Sequence, residues 1–352
     1  MRAKHVGILV LLLAVSGLGA LFWLAGHVHR PLEVGQERLI VIERGASLHS
    51  LLRQLDREGV LGDAAQSGRR RLGARLYDLM TDVSQRIQVG EYLIQPGDTL
   101  LDVLVRVERG EVLQRAFTLI EGWNMRELRA ALASAPGLRQ TLQDIDDRAL
   151  MAALGEPGMS PEGWFAPDTW YYTSQDADLD LLRRAYQRQQ ALLEESWAQR
   201  MDDLPYQTPY EVLVMASIIE KETGVPAERA EIAGVFVERL RRGMRLQTDP
   251  TVIYGMGERY QGRIRSADLR EATPWNTYVI RGLPPTPIAM PGAESIRAAV
   301  RPAQTEALFF VARGDGSHVF SRTLEEHNRA VREFQLRRRE DYRSWPAPAT
   351  TP

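Results

Sequence analysis

Cysteine is absent from this 352-residue chain, and lysine is nearly so. Without cysteine the chain can form no disulfide, thiolate metal site or cysteine nucleophile. Lys4 and Lys221 are its only lysines, so amine chemistry beyond the first few residues would depend on Lys221. An excess of positive charge is also missing, because 44 Lys and Arg face 46 Asp and Glu. Binding to the phosphate backbone of nucleic acid is therefore not expected.

The longest uncharged run lies at the N-terminus, where Val6–Gly26 contains no charged residue. At about 1.5 Å per residue this run spans about 30 Å, the thickness of one hydrocarbon core. Small residues are missing at the spacing that a signal-peptide cleavage site needs, so we predict an uncleaved transmembrane anchor over residues 6–28. Arg2 and Lys4 precede the run, which predicts a cytoplasmic tail over residues 1–5 and export of the rest of the chain.

Two similar strand–helix units follow, and they align at an offset of 52 residues. In each unit an apolar strand leads through a glycine turn to a hydroxyl N-cap, which is Ser47 in the first and Thr99 in the second. Leucine and valine recur at helical spacing after each cap. This pattern predicts a small α+β domain over residues 36–115, and the repeated motif resembles the start of a LysM-type glycan-binding unit.

The larger part of the chain, residues 116–340, is predicted to be a second, mixed α+β domain. Its segment 160–172, SPEGWFAPDTWYY, concentrates five aromatic residues and two prolines. Such a segment is either a buried structural loop or a platform on which sugar rings stack, and the sequence leaves both open. A β-hairpin is predicted around the turn at 313–317, and the proline-rich segment 341–352 is predicted to be disordered.

Glu220 is the most informative ionisable residue, because it lies on an apolar face of a predicted helix. Leu213, Ala216 and Glu220 stand at positions i, i+3 and i+7. A carboxyl on such a face is either paired with a cation, for which Arg229 is a candidate, or kept neutral by desolvation. A neutral carboxyl is what general-acid cleavage of a glycosidic bond requires. Asp249 is predicted to be a helix N-cap rather than a second catalytic carboxylate.

Several long motifs of the second domain closely resemble those of the YceG-like family of endolytic murein transglycosylases. They are the segments ASIIEKET at 216–223, GMRLQTDPTVIYG at 243–255, NTY at 276–278 and GLPP at 282–285, and the hairpin strand that begins at His318. The resemblance covers residues 36–336. It implies an inner-membrane protein that faces the periplasm and cleaves the MurNAc–GlcNAc bond within nascent peptidoglycan strands. The products would carry 1,6-anhydro-MurNAc ends, and the cleavage would terminate strand elongation.

The family's catalytic glutamate falls on Glu220, the first glutamate of the EKET segment. Attack by the sugar's own C6 hydroxyl removes the need for a second carboxylate, so one glutamate would act first as acid and then as base. We predict sugar contacts from Gln247, Asn276 and Tyr278, the last two of which share one side of an extended segment. No cofactor and no metal ion are expected. The expected partners are peptidoglycan strands and the inner membrane, with peptidoglycan synthases as further candidates.

Two other functions remain open from the residues alone. A non-catalytic peptidoglycan-binding or scaffolding protein would keep the glycan platform and would not need Glu220. A pyridoxal-phosphate lyase would have to form its Schiff base with Lys221. His318 and His327 are the only histidines beyond residue 49. Few histidine side chains are therefore available for a metal site or a Ser-His-Asp triad.

Overall fold

The computed structural model describes residues 15, 16, 19, 23 and 26–335. The predicted cytoplasmic tail at 1–5 and the predicted disordered segment 341–352 lie outside the described residues, as does most of the predicted anchor at 6–28. Among the residues that are described, no helix is long and apolar enough to span a membrane. The chain divides into two compact units. The first ends at Arg115 and also takes in Tyr171–Gln175, while the second holds Ala116–Trp170 and the residues from Asp176 onward.

The first unit contains the two predicted strand–helix repeats. Its elements, in chain order, are β1 (Arg38–Ile42), α1 (Leu48–Arg57), α2 (Ala64–Thr81), β2 (Gly90–Ile94) and α3 (Leu100–Arg109). β1 and β2 pair antiparallel, with Arg38 opposite Ile94. Ser47 and Thr99 each accept a hydrogen bond from a backbone N–H in the first turn of the helix that follows. Both predicted caps are therefore confirmed.

The strands and helices of the first unit share one hydrophobic core. Ile40 and Tyr92 on the strands are fully buried, and so are the apolar faces of α1 and α3. The core also contains Val28, Leu32 and Val34, which precede the predicted domain start at residue 36. Val28 is the last residue of the predicted anchor, and Leu32 and Val34 lie between that anchor and the predicted domain. The likeness to a LysM unit stays a prediction.

The second unit is mostly helical and ends in the predicted β-hairpin. From residue 115 onward the elements are β3 (Arg115–Leu119), α4 (Met125–Ala133), α5 (Asp147–Ala153), β4 (Asp168–Tyr172), α6 (Asp178–Ala198), α7 (Pro209–Glu222), α8 (Arg229–Arg241), α9 (Asp249–Met256), α10 (Ala293–Val300), β5 (Phe309–Ala312), β6 (His318–Ser321) and α11 (Leu324–Phe334). β5 and β6 pair antiparallel, which confirms the hairpin. The mixture of helices and small sheets confirms the predicted α+β class.

Helix α7 is the centre of the second unit because it is apolar on all sides. Thr208 caps it and Pro209 occupies its first turn, where a missing N–H costs no hydrogen bond. Every residue from Val212 to Glu220 is buried, and α7 contacts α6, α8, α9 and α10. A helix without a polar face is stable only when neighbours cover it completely. The same packing carries the Glu220 carboxyl into the interior.

The aromatic segment is a buried loop over half of its length. Residues 161–166 are all buried, and Phe165 has no exposed surface. The Trp164 ring stacks on Tyr210, with 6.0 Å between the ring centroids. For this part of the segment, the interpretation as a structural loop is confirmed.

Candidate active site

Glu220 lies in the last turn of α7, and three donors hold its carboxylate. The residue is only 6% exposed. Arg229 Nη2 lies 3.2 Å from Oε1, while Oε2 accepts from the Gly292 N–H at 2.9 Å and from the Ser295 hydroxyl at 2.7 Å. Of the two alternatives that the sequence left open, the structure shows the carboxyl paired with Arg229.

Two of these donors come from the start of α10. Gly292 is the N-cap of this helix and Ser295 lies in its first turn, so the Glu220 carboxylate faces the positive end of the helix dipole. A Cβ atom at position 292 would overlap with the carboxyl group of Glu121, so a side chain there would displace that carboxyl from its observed position. Two carboxyl groups therefore lie against the same short piece of backbone.

Arg229 links Glu220 to Glu121, a residue that the sequence analysis did not select. Arg229 Nη2 lies 3.5 Å from Oε2 of Glu121. The Arg229 side chain is 11% exposed and that of Glu121 is 48% exposed. Partial burial, followed by the negative charge of Glu220, raises the pKa of Glu121, and Arg229 opposes this shift. The site thus contains two carboxyl groups that share one guanidinium.

A cavity of about 1010 Å³ lies beside the end of α7, although Glu220 itself is not among its lining residues. Its wall includes Lys221, the next residue along α7, and Gly122, which lies against both Glu220 and Lys221. The rest of the wall mixes aromatic rings with charged groups of both signs, among them Tyr254, Tyr260, Trp275, Arg126, Asp147 and Glu162. Concave sites with aromatic walls and a few converging polar groups are typical of ligand binding.

Glu162 is buried in the wall of this cavity, and its position in the sequence gave no reason to select it. Its carboxylate accepts from the Met125 N–H at 3.1 and 3.2 Å and from the Tyr254 hydroxyl at 3.0 Å. Burial raises the pKa of Glu162 to about 7, although both donors oppose the shift. This carboxyl therefore changes charge near neutral pH.

The three predicted sugar-binding residues lie near the start of α9, and none of them lines this cavity. Gln247 is exposed, in a left-handed backbone conformation with φ of 51°. Asn276 is buried, and its side-chain amide donates to three backbone carbonyls within residues 268–271. Donation from this amide nitrogen to a sugar would cost one of these bonds. The substrate-binding roles of Gln247, Asn276 and Tyr278 stay predictions.

Asp249 is not the N-cap of α9, contrary to the prediction. The helix begins at Asp249 itself, and its N-cap is Thr248. The Thr248 hydroxyl donates to Glu222, and Asp249 Oδ1 accepts from the Tyr278 hydroxyl at 2.7 Å. The local pattern of threonine, aspartate and proline fits a cap at either of the first two residues. Here Asp249 bonds to a distant tyrosine and leaves the N-cap position to its neighbour.

Tyr278→Phe is expected to destabilise the protein by about 1 kcal/mol, because it removes the hydrogen bond to Asp249. Asp249→Ala should have a similar cost, and the double variant should cost little more than either single one, since both remove the same bond. Urea unfolding measures these free energies. If Tyr278→Phe instead leaves stability unchanged and raises KM for glycan strands, Tyr278 contacts sugar and not Asp249.

Lys221 and the two C-terminal histidines all have structural contacts. Lys221 Nζ donates to the Gly122 carbonyl at 3.1 Å. His318 Nδ1 lies 2.7 Å from Glu228 Oε2, and the His327 ring stacks on Phe309. Within the described part of the chain, no group of three or more His, Cys, Asp or Glu residues is arranged to hold a metal ion.

Comparisons with known proteins agree on one family. The model of the YceG-like family matches residues 40–333. The chain is 32% identical over 266 residues to an endolytic murein transglycosylase of Bacillus subtilis, covering 70% of this chain and 73% of that protein. Endolytic murein transglycosylases of two Streptococcus pneumoniae strains are 34% identical over 131 residues, which is 36% of this chain and 24% of theirs. A crystal structure described as a YceG-like protein of Listeria monocytogenes is similar with a TM-score of 0.52 and 26% identity, covering 84% of this chain and 99% of that one.

Proposed function

This chain belongs to the YceG-like family and is a peptidoglycan lytic transglycosylase, and we propose that it cleaves the MurNAc–GlcNAc bond within glycan strands with Glu220 as its acid and base. The observation that carries this assignment is the position of Glu220. It is the first glutamate of the EKET segment, it is held by three donors at the end of a buried helix, and the next residue, Lys221, lines a cavity of about 1010 Å³. The family match and the curated relatives favour the transglycosylase over the Schiff-base alternative.

In the proposed reaction, Glu220 handles one proton twice. A proton on its carboxyl passes to O4 of GlcNAc while the bond between that oxygen and C1 of MurNAc breaks. The carboxylate then accepts the proton of the C6 hydroxyl while O6 bonds to C1. One C–O bond is broken and one is formed, and a proton has moved from O6 to O4. The glutamate returns to its initial state and the product carries a 1,6-anhydro ring.

The surroundings of Glu220 suit this sequence of steps. Gly292, Ser295 and Arg229 can hold the carboxylate in one orientation after it has given up its proton. The low exposure of Glu220 also keeps bulk water away from the reacting carbon, where water would compete with the C6 hydroxyl. An intramolecular hydroxyl held close to C1 has the advantage of a high effective concentration.

The test is an analysis of products from the full-length protein in detergent, incubated with purified glycan strands. Mass spectrometry should find shorter strands, produced by cleavage at internal bonds, that carry new 1,6-anhydro-MurNAc ends. The number of reducing ends should not increase. Products with reducing MurNAc ends would show hydrolysis and contradict the mechanism. Binding of strands without any cleavage would favour the scaffolding alternative.

We also propose that residues 6–28 anchor the protein in the inner membrane, with the N-terminus in the cytoplasm and the catalytic unit in the periplasm. The uncharged run Val6–Gly26 and the preceding Arg2 and Lys4 support this topology. From there the enzyme would reach strands as synthases release them. Cleavage of those strands would terminate their elongation.

The topology predicts the behaviour of fused reporters. A reporter that works only outside the cytoplasm is expected to be active when fused to the C-terminus and inactive when fused before residue 1. A reporter that works only in the cytoplasm should give the opposite pair of results. Cytoplasmic activity at the C-terminus would reverse the proposed orientation.

A further inference from the structure

We propose that Glu121 is a positioning residue for Glu220, and that the two carboxyls share one proton and exchange it as Arg229 moves from one to the other. This inference rests on the proposed role of Glu220 as acid and base. In the arrangement observed, Arg229 Nη2 lies nearer to Glu220 than to Glu121, and the proposal assigns the proton to Glu121 in this arrangement. In the reactive arrangement, Arg229 pairs with Glu121 and the proton is on Glu220.

The two oxygens of Glu220 are held differently, and this difference identifies the atom that exchanges the proton. Oε2 accepts from the Gly292 N–H at 2.9 Å and from the Ser295 hydroxyl at 2.7 Å. The first of these donors belongs to the backbone and cannot turn away. Oε1 is bonded only to Arg229, at 3.2 Å, through a long side chain that can move. Oε1 is therefore the oxygen that becomes free to carry a proton.

Glu121 lies where it can replace Glu220 as the ion-pair partner of Arg229. The same Nη2 atom lies 3.2 Å from Glu220 and 3.5 Å from Glu121, so a small rotation of the guanidinium changes its partner. The Glu121 carboxyl packs against Gly292, whose N–H holds Glu220, and this approach is possible only because residue 292 has no side chain. The negative charge of Glu220 disfavours ionisation of Glu121, although the Arg229 cation opposes this effect.

The charged groups around Glu121 support a shared proton. Glu121 faces Glu220 on α7, Arg229 on α8 and Glu294 on α10. Burial and the negative charges of Glu220 and Glu294 raise the pKa of Glu121, and Arg229 lowers it. On the side of Gly122, the Lys221 amine is bonded to the backbone carbonyl. The exchange breaks an O–H bond on Glu121 and forms one on Glu220 Oε1, so the net charge of the three groups does not change.

Opposite shifts in the pH profile test this proposal. The cleavage rate should fall at high pH, when no proton remains on the pair of carboxyls, and this falling limb is measured for wild type, Glu121→Gln and Arg229→Gln. Glu121→Gln leaves Arg229 on Glu220 and should move the limb to lower pH by about one unit, whereas Arg229→Gln should move it to higher pH. Both effects should appear in kcat with KM nearly unchanged. Glu121→Asp keeps the charge and should restore much of the wild-type profile.

Glu325→Gln is the control, because it removes an exposed carboxyl that pairs with Arg329 and is not among the charges that act on Glu121. Its profile should coincide with that of the wild type. If either glutamine variant fails to fold by circular dichroism, Glu121→Asp and Arg229→Lys provide the comparison. An unchanged limb in Glu121→Gln, or shifts of the same sign in both variants, would overturn the proposal. Wild-type formation of anhydro ends is scored separately, so these outcomes leave the proposed function standing.

Discussion

Glu220→Gln is expected to abolish the formation of 1,6-anhydro ends while the fold stays intact. Glutamine keeps the shape of the side chain and can still accept from Gly292 and Ser295 through its amide oxygen. It cannot give up or take a proton at either step. General acid–base catalysis contributes roughly 10²–10⁴-fold, and one group performs both transfers in the proposed reaction, so the loss should reach at least that range. Counting anhydro ends by mass spectrometry measures it.

Glu222→Gln is the matched control for this variant, because it changes the second glutamate of the same segment. The Glu222 carboxyl accepts from the Thr248 hydroxyl and makes no contact with Glu220 or Arg229 among the described hydrogen bonds. It should retain most of the wild-type rate. Lys221→Ala should also be far milder than Glu220→Gln, although Lys221 lines the cavity. Near-normal formation of anhydro ends by Glu220→Gln would exclude Glu220 as the acid and base.

Glu162→Gln is expected to make the stability of the protein less dependent on pH. The pKa of Glu162 is raised to about 7 by burial, so the folded protein holds this proton when the unfolded chain has lost it. Below about pH 4.5 the group is protonated in both states and has no effect. Between about pH 4.5 and 7 the free energy of unfolding falls as pH rises, by up to about 3 kcal/mol in total. Above pH 7 the loss is complete and constant.

Glutamine does not ionise, and its amide oxygen can still accept from Met125 and Tyr254. The free energy of unfolding should therefore fall less in the variant than in the wild type between pH 5 and pH 8. The difference between the two falls should be up to about 3 kcal/mol. Urea unfolding at both pH values gives the difference. Glu258→Gln, an exposed carboxyl on the same cavity, should leave the pH dependence unchanged. An equal fall in wild type and Glu162→Gln would show that Glu162 is not the titrating group.

Local signals in the sequence were sufficient for much of the fold. Ser47 and Thr99 are predicted as N-caps and are observed as such, because capping depends on residues within one helical turn. The hairpin around 313–317 and the buried helix that ends near Glu220 follow from turn residues and apolar periodicity in the same way. The family motifs add the catalytic assignment of Glu220, which periodicity does not provide.

The partners of the charged groups depend instead on contacts between distant parts of the chain. Glu162 meets Tyr254 across 92 residues, and Glu220 meets Ser295 across 75. Periodicity placed Glu220 on an apolar face but could not choose between a neutral and a paired carboxyl, because that depends on where Arg229 packs. Asp249 differs from expectation for the same reason, since its side chain bonds to a distant tyrosine. A hydrogen bond needs its two atoms within about 3 Å, and only the packing of helices and loops brings such residues together.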